Sequence, residues 1–89
     1  MNLSLNACLA ILNSNIAYSK MDQVYYFLGY NYTELNREKE AARFYKILID
    51  QYPNSAFTAE AYRNLAEKAY ENKKYSEAVN LYEKSAEFK

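Results

Sequence analysis

Apolar residues return along this chain every three or four positions, in five blocks separated by short polar breaks. Leu5, Cys8, Leu9, Leu12 and Ile16 share one helical face, so residues 1–20 read as an amphipathic helix ending near Tyr18. Ser19-Lys20-Met21-Asp22 then has the form of a capping box, with the Ser19 hydroxyl and Asp22 carboxylate placed to satisfy amides at the next helix start. The second helix runs to about Leu35 and gathers Val24, Tyr25, Leu28, Gly29 and Tyr32 on one face. Asn36 is a suitable N-cap for a third, and Glu38 and Glu40 put negative charge in its first turn, where the helix dipole favours it. Ala41, Phe44, Tyr45, Leu48 and Ile49 form its stripe, which must stop at Tyr52 because Pro53 disfavours a helical residue before it. Asn54 and Ser55 offer caps for a fourth helix carrying Ala61, Tyr62, Leu65, Ala66 and Ala69. Asn72-Lys73-Lys74 breaks the pattern again, and Tyr75, Ala78, Val79, Tyr82 and Ala86 line a fifth helix that ends with the chain.

No segment alternates as a strand would, and one Gly and one Pro in 89 residues leave few places to interrupt helices. The class is therefore all-α. Connections of about two to five residues turn each helix back on its predecessor, so neighbours are antiparallel. Shifting the chain by 37 residues superposes Tyr25 on Tyr62, Leu28 on Leu65, Glu34 on Glu71, Glu40 on Glu77, Ala41 on Ala78 and Tyr45 on Tyr82. Most of these are expected packing positions, so the unit that repeats is a pair of helices.

Tyr25-x2-Leu28-Gly29-x2-Tyr32, then Ala41-x3-Tyr45, then Pro53 resembles the tetratricopeptide repeat, W-x2-L-G-x2-Y, A-x3-F, P, with Tyr in place of Trp and Phe. A looser copy follows: Tyr62-x2-Leu65-Ala66-x2-Ala69, then Ala78-x3-Tyr82. The resemblance covers residues 22–89 and implies antiparallel helix–turn–helix repeats stacked as a short right-handed solenoid of about five helices. On that reading residues 1–89 form one domain, with repeats at 22–58 and 59–89. Residues 1–20 become the second helix of a truncated preceding repeat, in which Ala7 and Ile11 match the pattern weakly. The stretch Tyr52-Pro53-Asn54-Ser55-Ala56-Phe57 lengthens the period beyond the usual 34 or so. It is similar to the long-repeat variety in bacterial envelope proteins, such as outer-membrane-assembly lipoproteins and Tol–Pal-associated periplasmic proteins.

The same resemblance implies a binding module that holds a peptide or helix of a partner protein on a concave face built from the first helix of each pair. The first-helix positions not expected to pack are Gln23, Tyr26, Tyr30, Thr33 and Glu34, then Glu60, Arg63, Glu67, Tyr70 and Glu71. Tyr26, Tyr30 and Tyr70 suit partner contact, since tyrosine offers a large area with a polar tip, although the same rings could pack on neighbouring helices. Relatives that grip a C-terminal carboxylate use Lys and Asn there; Tyr26, Tyr30, Arg63 and Glu67 stand in the comparable places, so that clamp is not carried over. Glu60, Glu67 and Glu71 around Arg63 favour a mixed or basic partner segment.

Composition narrows the chemistry further. Eleven basic and eleven acidic residues leave no net field to hold nucleic acid. With no histidine, the commonest general base and metal ligand is missing, and a single cysteine has no catalytic partner. The pairs Glu38/Glu40 and Glu67/Glu71 read as solvated helix faces. No catalytic residue, metal site or cofactor is expected, and an enzyme is the weakest reading. Leu5-Asn6-Ala7-Cys8 has the form of a lipoprotein signal end, but no charged segment or apolar core precedes it, so Cys8 is expected in a helix core. No run is apolar enough to span a membrane. The compartment stays open: cytoplasmic for a complete chain, periplasm or envelope for a piece of a longer one. A second functional reading is self-association, because Leu81, Tyr82 and Phe88 on the last helix have no following repeat to cover them and invite a homodimer through the terminal helices.

Overall fold

The computed structural model describes residues 4–14 and 19–87, and these form five helices: α1 (Leu5–Asn13), α2 (Met21–Glu34), α3 (Glu38–Gln51), α4 (Ala56–Glu71) and α5 (Tyr75–Ala86). All regular structure among the described residues is α-helical. Expectations for Ile16, Tyr18 and Phe88 fall outside the described residues.

The helices start and stop at specific groups, and three of these boundaries differ from the sequence expectation. Ser4 caps α1 by accepting from the Ala7 amide at 3.2 Å, and α1 closes at Asn13 with Ser14 as C-cap, short of the expected end near Tyr18. The capping box at Ser19 and Asp22 does not form. Lys20 is the N-cap of α2 and makes no side-chain cap bond. Asp22 instead accepts from its neighbour's amide, Gln23, at 2.9 Å and from the Ser55 hydroxyl at 2.7 Å, tying the start of α2 to the start of α4. Asn36 is not an N-cap either. Its φ of 61° places it in the left-handed region just past the end of α2. There its amide donates to the Thr33 carbonyl at 3.0 Å and that of Arg37 to Tyr32 at 2.9 Å, the paired bonds of a Schellman motif. The motif recurs 37 residues on: Lys73 has φ 63°, and the amides of Lys73 and Lys74 donate to Tyr70 and Ala69. Asparagine favours both helix starts and left-handed ends, which is why its sequence position misleads. Ser55 does cap α4, accepting from Phe57 at 3.0 Å, and α3 stops before Pro53 with Tyr52 as C-cap.

Each helix packs on the next, and α2 also packs on α4, so α2/α3 and α4/α5 are hairpins whose first helices lie side by side. Two apolar clusters sit where one pair stacks on its predecessor. In the first, Cys8 of α1 meets Val24, Phe27 and Leu28 of α2; in the second, Tyr45 and Leu48 of α3 meet Ala61 of α4. The two contacts are related by the 37-residue shift: Cys8 corresponds to Tyr45 and Val24 to Ala61. Cys8, rather than Ala7 or Ile11, is thus the α1 residue in the stacking position. Because α2 is covered on two sides, it buries Gln23 and Phe27 besides the expected face. In α5 the expected stripe is not buried: Ala78 is, but Tyr75, Val79 and Tyr82 are exposed, since no helix among the described residues lies beyond them.

Candidate functional site

Between α2 and α4 the surface is shaped by Gly29. A Cβ at this position would lie within 2.7 Å of three atoms of the Tyr45 ring, so glycine is what lets the ring of α3 pass beneath α2. The buried Tyr45 hydroxyl then accepts a hydrogen bond from Asn64 Nδ2 of α4 at 3.1 Å, and the Tyr26 hydroxyl accepts one from the same amide at 3.3 Å. One amide thereby fixes helices α2, α3 and α4 relative to one another. Burial pushes the Tyr45 hydroxyl up to about 12 and also raises that of Tyr26, so both hydroxyls stay protonated at neutral pH.

Above this network lies a groove of about 390 Å³ bounded by Tyr30, Thr33 and Glu34 of α2, Asn36, and Asn64, Glu67, Lys68 and Glu71 of α4. Thr33 donates its hydroxyl to the Gly29 carbonyl at 2.8 Å. Lys68 is held between two carboxylates, Glu38 at 3.5 Å and Glu71 at 3.6 Å. Glu34 and Glu67 enter no ion pair among the described residues. The groove is therefore an anionic trough with one tyrosine wall.

The expected partner-facing residues divide in two. Tyr30, Thr33, Glu34, Glu67 and Glu71 come together around the groove. The others do not. Gln23 is buried, and Tyr26 is half-buried among Phe27, Tyr30, Tyr45 and Phe57, with ring centroids 5.0 to 6.3 Å away. Glu60 and Arg63 are exposed and pair with each other at 3.7 Å. Tyr70 turns toward α5 of its own hairpin and meets Tyr75 edge-on at 5.2 Å. Asn36, Asn64 and Lys68 were missed. The spacing 60, 64, 67, 71 along one helical face points to Asn64, and the i,i+3 pair with Glu71 points to Lys68, whose second partner, Glu38, lies on another helix.

The elements of the repeated motif now have physical roles. Tyr25 packs against Phe44 and Tyr52 at 6.4 and 6.3 Å, and Tyr32 stacks on Phe44 at 5.7 Å with planes 5° apart. Gly29 and Ala41 are the close-approach positions, and Pro53 follows the helix end. The tetratricopeptide repeat family model matches residues 23–55, which span α2, α3 and the turn into α4. The chain carries a tetratricopeptide repeat. No curated protein and no solved structure matches it. Where the tetratricopeptide pattern has phenylalanine, this repeat has Tyr45, and the added hydroxyl is the one that takes the Asn64 bond. Tetratricopeptide repeats are non-catalytic protein-interaction modules. Among the described residues no cluster of three His, Cys, Asp or Glu could hold a metal, and no helix is long and apolar enough to cross a membrane.

Proposed function

We propose that this chain recruits another protein by holding a cationic segment of it, an extended peptide or a helix, in the trough between α2 and α4. The observation that carries the reading is the trough itself: three carboxylates and one already-paired lysine beside a tyrosine ring, on a floor locked by Asn64. Lysine or arginine on the partner would meet Glu34 and Glu67, and its aliphatic stem would lie on Tyr30. Such contacts are partly solvated, so affinity falls as salt rises.

Isothermal titration with a Lys- and Arg-rich peptide tests this. Glu34→Gln with Glu67→Gln is expected to weaken binding by about tenfold or more, a loss of roughly 1.4 kcal/mol for each factor of ten. Affinity unchanged by the pair of substitutions would remove the trough from the account. Tyr30→Ala serves as the aromatic arm of the same test. Tyr26 does not, because its ring belongs to the packed cluster and its loss would disturb the fold.

A further inference from the structure

A second groove, of about 410 Å³, lies between α3 and α5 with α4 as its floor. Ala42, Lys46 and Ile49 of α3 form one side, Leu81 of α5 the other, and Leu65 and Ala69 lie at the bottom. The two walls stand apart, because α3 and α5 each pack on α4 and not on one another.

The chain shows how such a space is filled. One hairpin earlier, the junction of α1 and α3 over α2 is related to this one by the same 37-residue shift. There Leu5, Leu9 and Leu12 of α1, Tyr32 of α2 and Phe44 of α3 all join the first apolar cluster, with the Tyr32 and Phe44 rings stacked at 5.7 Å. In the later junction the same positions hold Ala42, Lys46, Ile49, Ala69 and Leu81. Both rings are missing and one leucine is reduced to a methyl group, so the space that side chains occupy in the first junction is open in the second.

The charge differs as well. Lys46 stands where the earlier junction has Leu9, and Lys68 where it has Asn31. Lys68 is held by Glu38 and Glu71. Lys46, Lys74 and Glu77 also line the groove and enter no ion pair among the described residues, so its rim carries two uncommitted ammonium groups against one carboxylate.

We propose that this groove takes a segment of a partner protein that presents an aromatic side chain next to Asp or Glu. The ring occupies the space that Tyr32 and Phe44 occupy one hairpin earlier, resting on Leu65 and Ala69, while the carboxylate meets Lys46 or Lys74. The same two ammonium groups repel a basic segment, so this groove and the α2/α4 trough select opposite charges. Lys68 lines both and is therefore left unchanged in the test.

Amide shifts and isothermal titration of the chain with a short peptide carrying one Phe between Asp residues, at up to about 1 mM, test the proposal. Shifts are expected at Ala42, Ile49, Leu65, Ala69 and Leu81. Lys46→Glu with Lys74→Glu should weaken binding about tenfold or more with the circular dichroism unchanged, since both side chains are exposed. Ala42→Leu with Leu81→Phe restores the residues that fill the earlier junction and should abolish binding without altering charge. If that pair alters helicity, the lysine pair decides alone. A peptide with Ala in place of Phe should bind at least tenfold or so more weakly. Equal affinity of that peptide, affinity unchanged by either folded pair of substitutions, shifts centred on the α2/α4 trough, or no binding at about 1 mM overturns the proposal. So does phenylpropionate matching the affinity of the peptide, which would assign the groove to a small aromatic carboxylate instead.

Discussion

Tyr45 and Tyr82 occupy the same place in two successive hairpins, yet one is 1 % and the other 41 % exposed. Neither the residue nor its own helix accounts for the difference. What differs is whether a helix lies beyond: α4 covers α3, and nothing among the described residues covers α5. The surroundings have diverged to match. Around Tyr45 stand Gly29, which admits the ring, and Asn64, which binds its hydroxyl; the residue 37 positions after Gly29 is Ala66, whose methyl group leaves less room for a ring. A repeat position thus becomes core only when its neighbour completes it.

The largest effect that could break this comparison comes from truncating the two rings. Tyr45→Ala is expected to lose about 3–5 kcal/mol, since it empties the inter-hairpin core and removes an Asn64 acceptor, whereas Tyr82→Ala should lose under about 1 kcal/mol. Chemical denaturation of the two variants measures both, and equal losses would contradict the assignment of covered and open faces. Next in size is Gly29→Ala, expected to destabilise by about 1–3 kcal/mol because Tyr45 is pinned and cannot yield. The counterpart Ala66→Gly should lose only about 0.5–1 kcal/mol, the helix-propensity difference.

Titration sharpens the same contrast. The Tyr45 hydroxyl is pushed from 10.0 up to about 12 by burial. A raised folded value means its stabilisation is fully present below pH 10 and is lost as pH rises toward 12. Melting temperature should therefore fall steeply across that window, and Tyr45→Phe should flatten the fall. The smallest expected effect lies at the hairpin turns. Lys73→Gly should stabilise by about 0.5–1 kcal/mol by relieving a left-handed lysine, and Asn36→Gly by less, because asparagine tolerates that conformation.

Much of the fold was legible in the sequence because it depends on periodicity and on a repeat of 37 residues. Tyr25, Leu28, Gly29, Ala41, Tyr45 and Pro53 each do what their spacing implied. Asn36 was misplaced between two local roles, whereas at Asp22 and Tyr26 the partners are distant in the chain. Asp22 looked like a local cap and is bonded to Ser55; Tyr26 was open to contact or packing, and its ring packs on Phe57 with its hydroxyl bound by Asn64 from α4. The stripe on α5 was legible as apolar, but its exposure depends on what lies past the last hairpin, which periodicity within the helix does not encode. Half of the partner-facing set converged on the trough because helical spacing alone aligns Tyr30 with Glu34 and Glu67 with Glu71. Tyr70 and Arg63 share those helices but face elsewhere.

The trough and the open face of α5 are two separate surfaces, and one experiment tells which of them takes a cationic segment. Amide shift mapping of the chain titrated with a Lys- and Arg-rich peptide is expected to move Tyr30, Thr33, Glu34, Asn64, Glu67 and Glu71, with perturbations shrinking as salt is added. Shifts centred on Tyr75, Val79 and Tyr82, or none at all at saturating peptide, would contradict the assignment of the α2/α4 trough as the partner site.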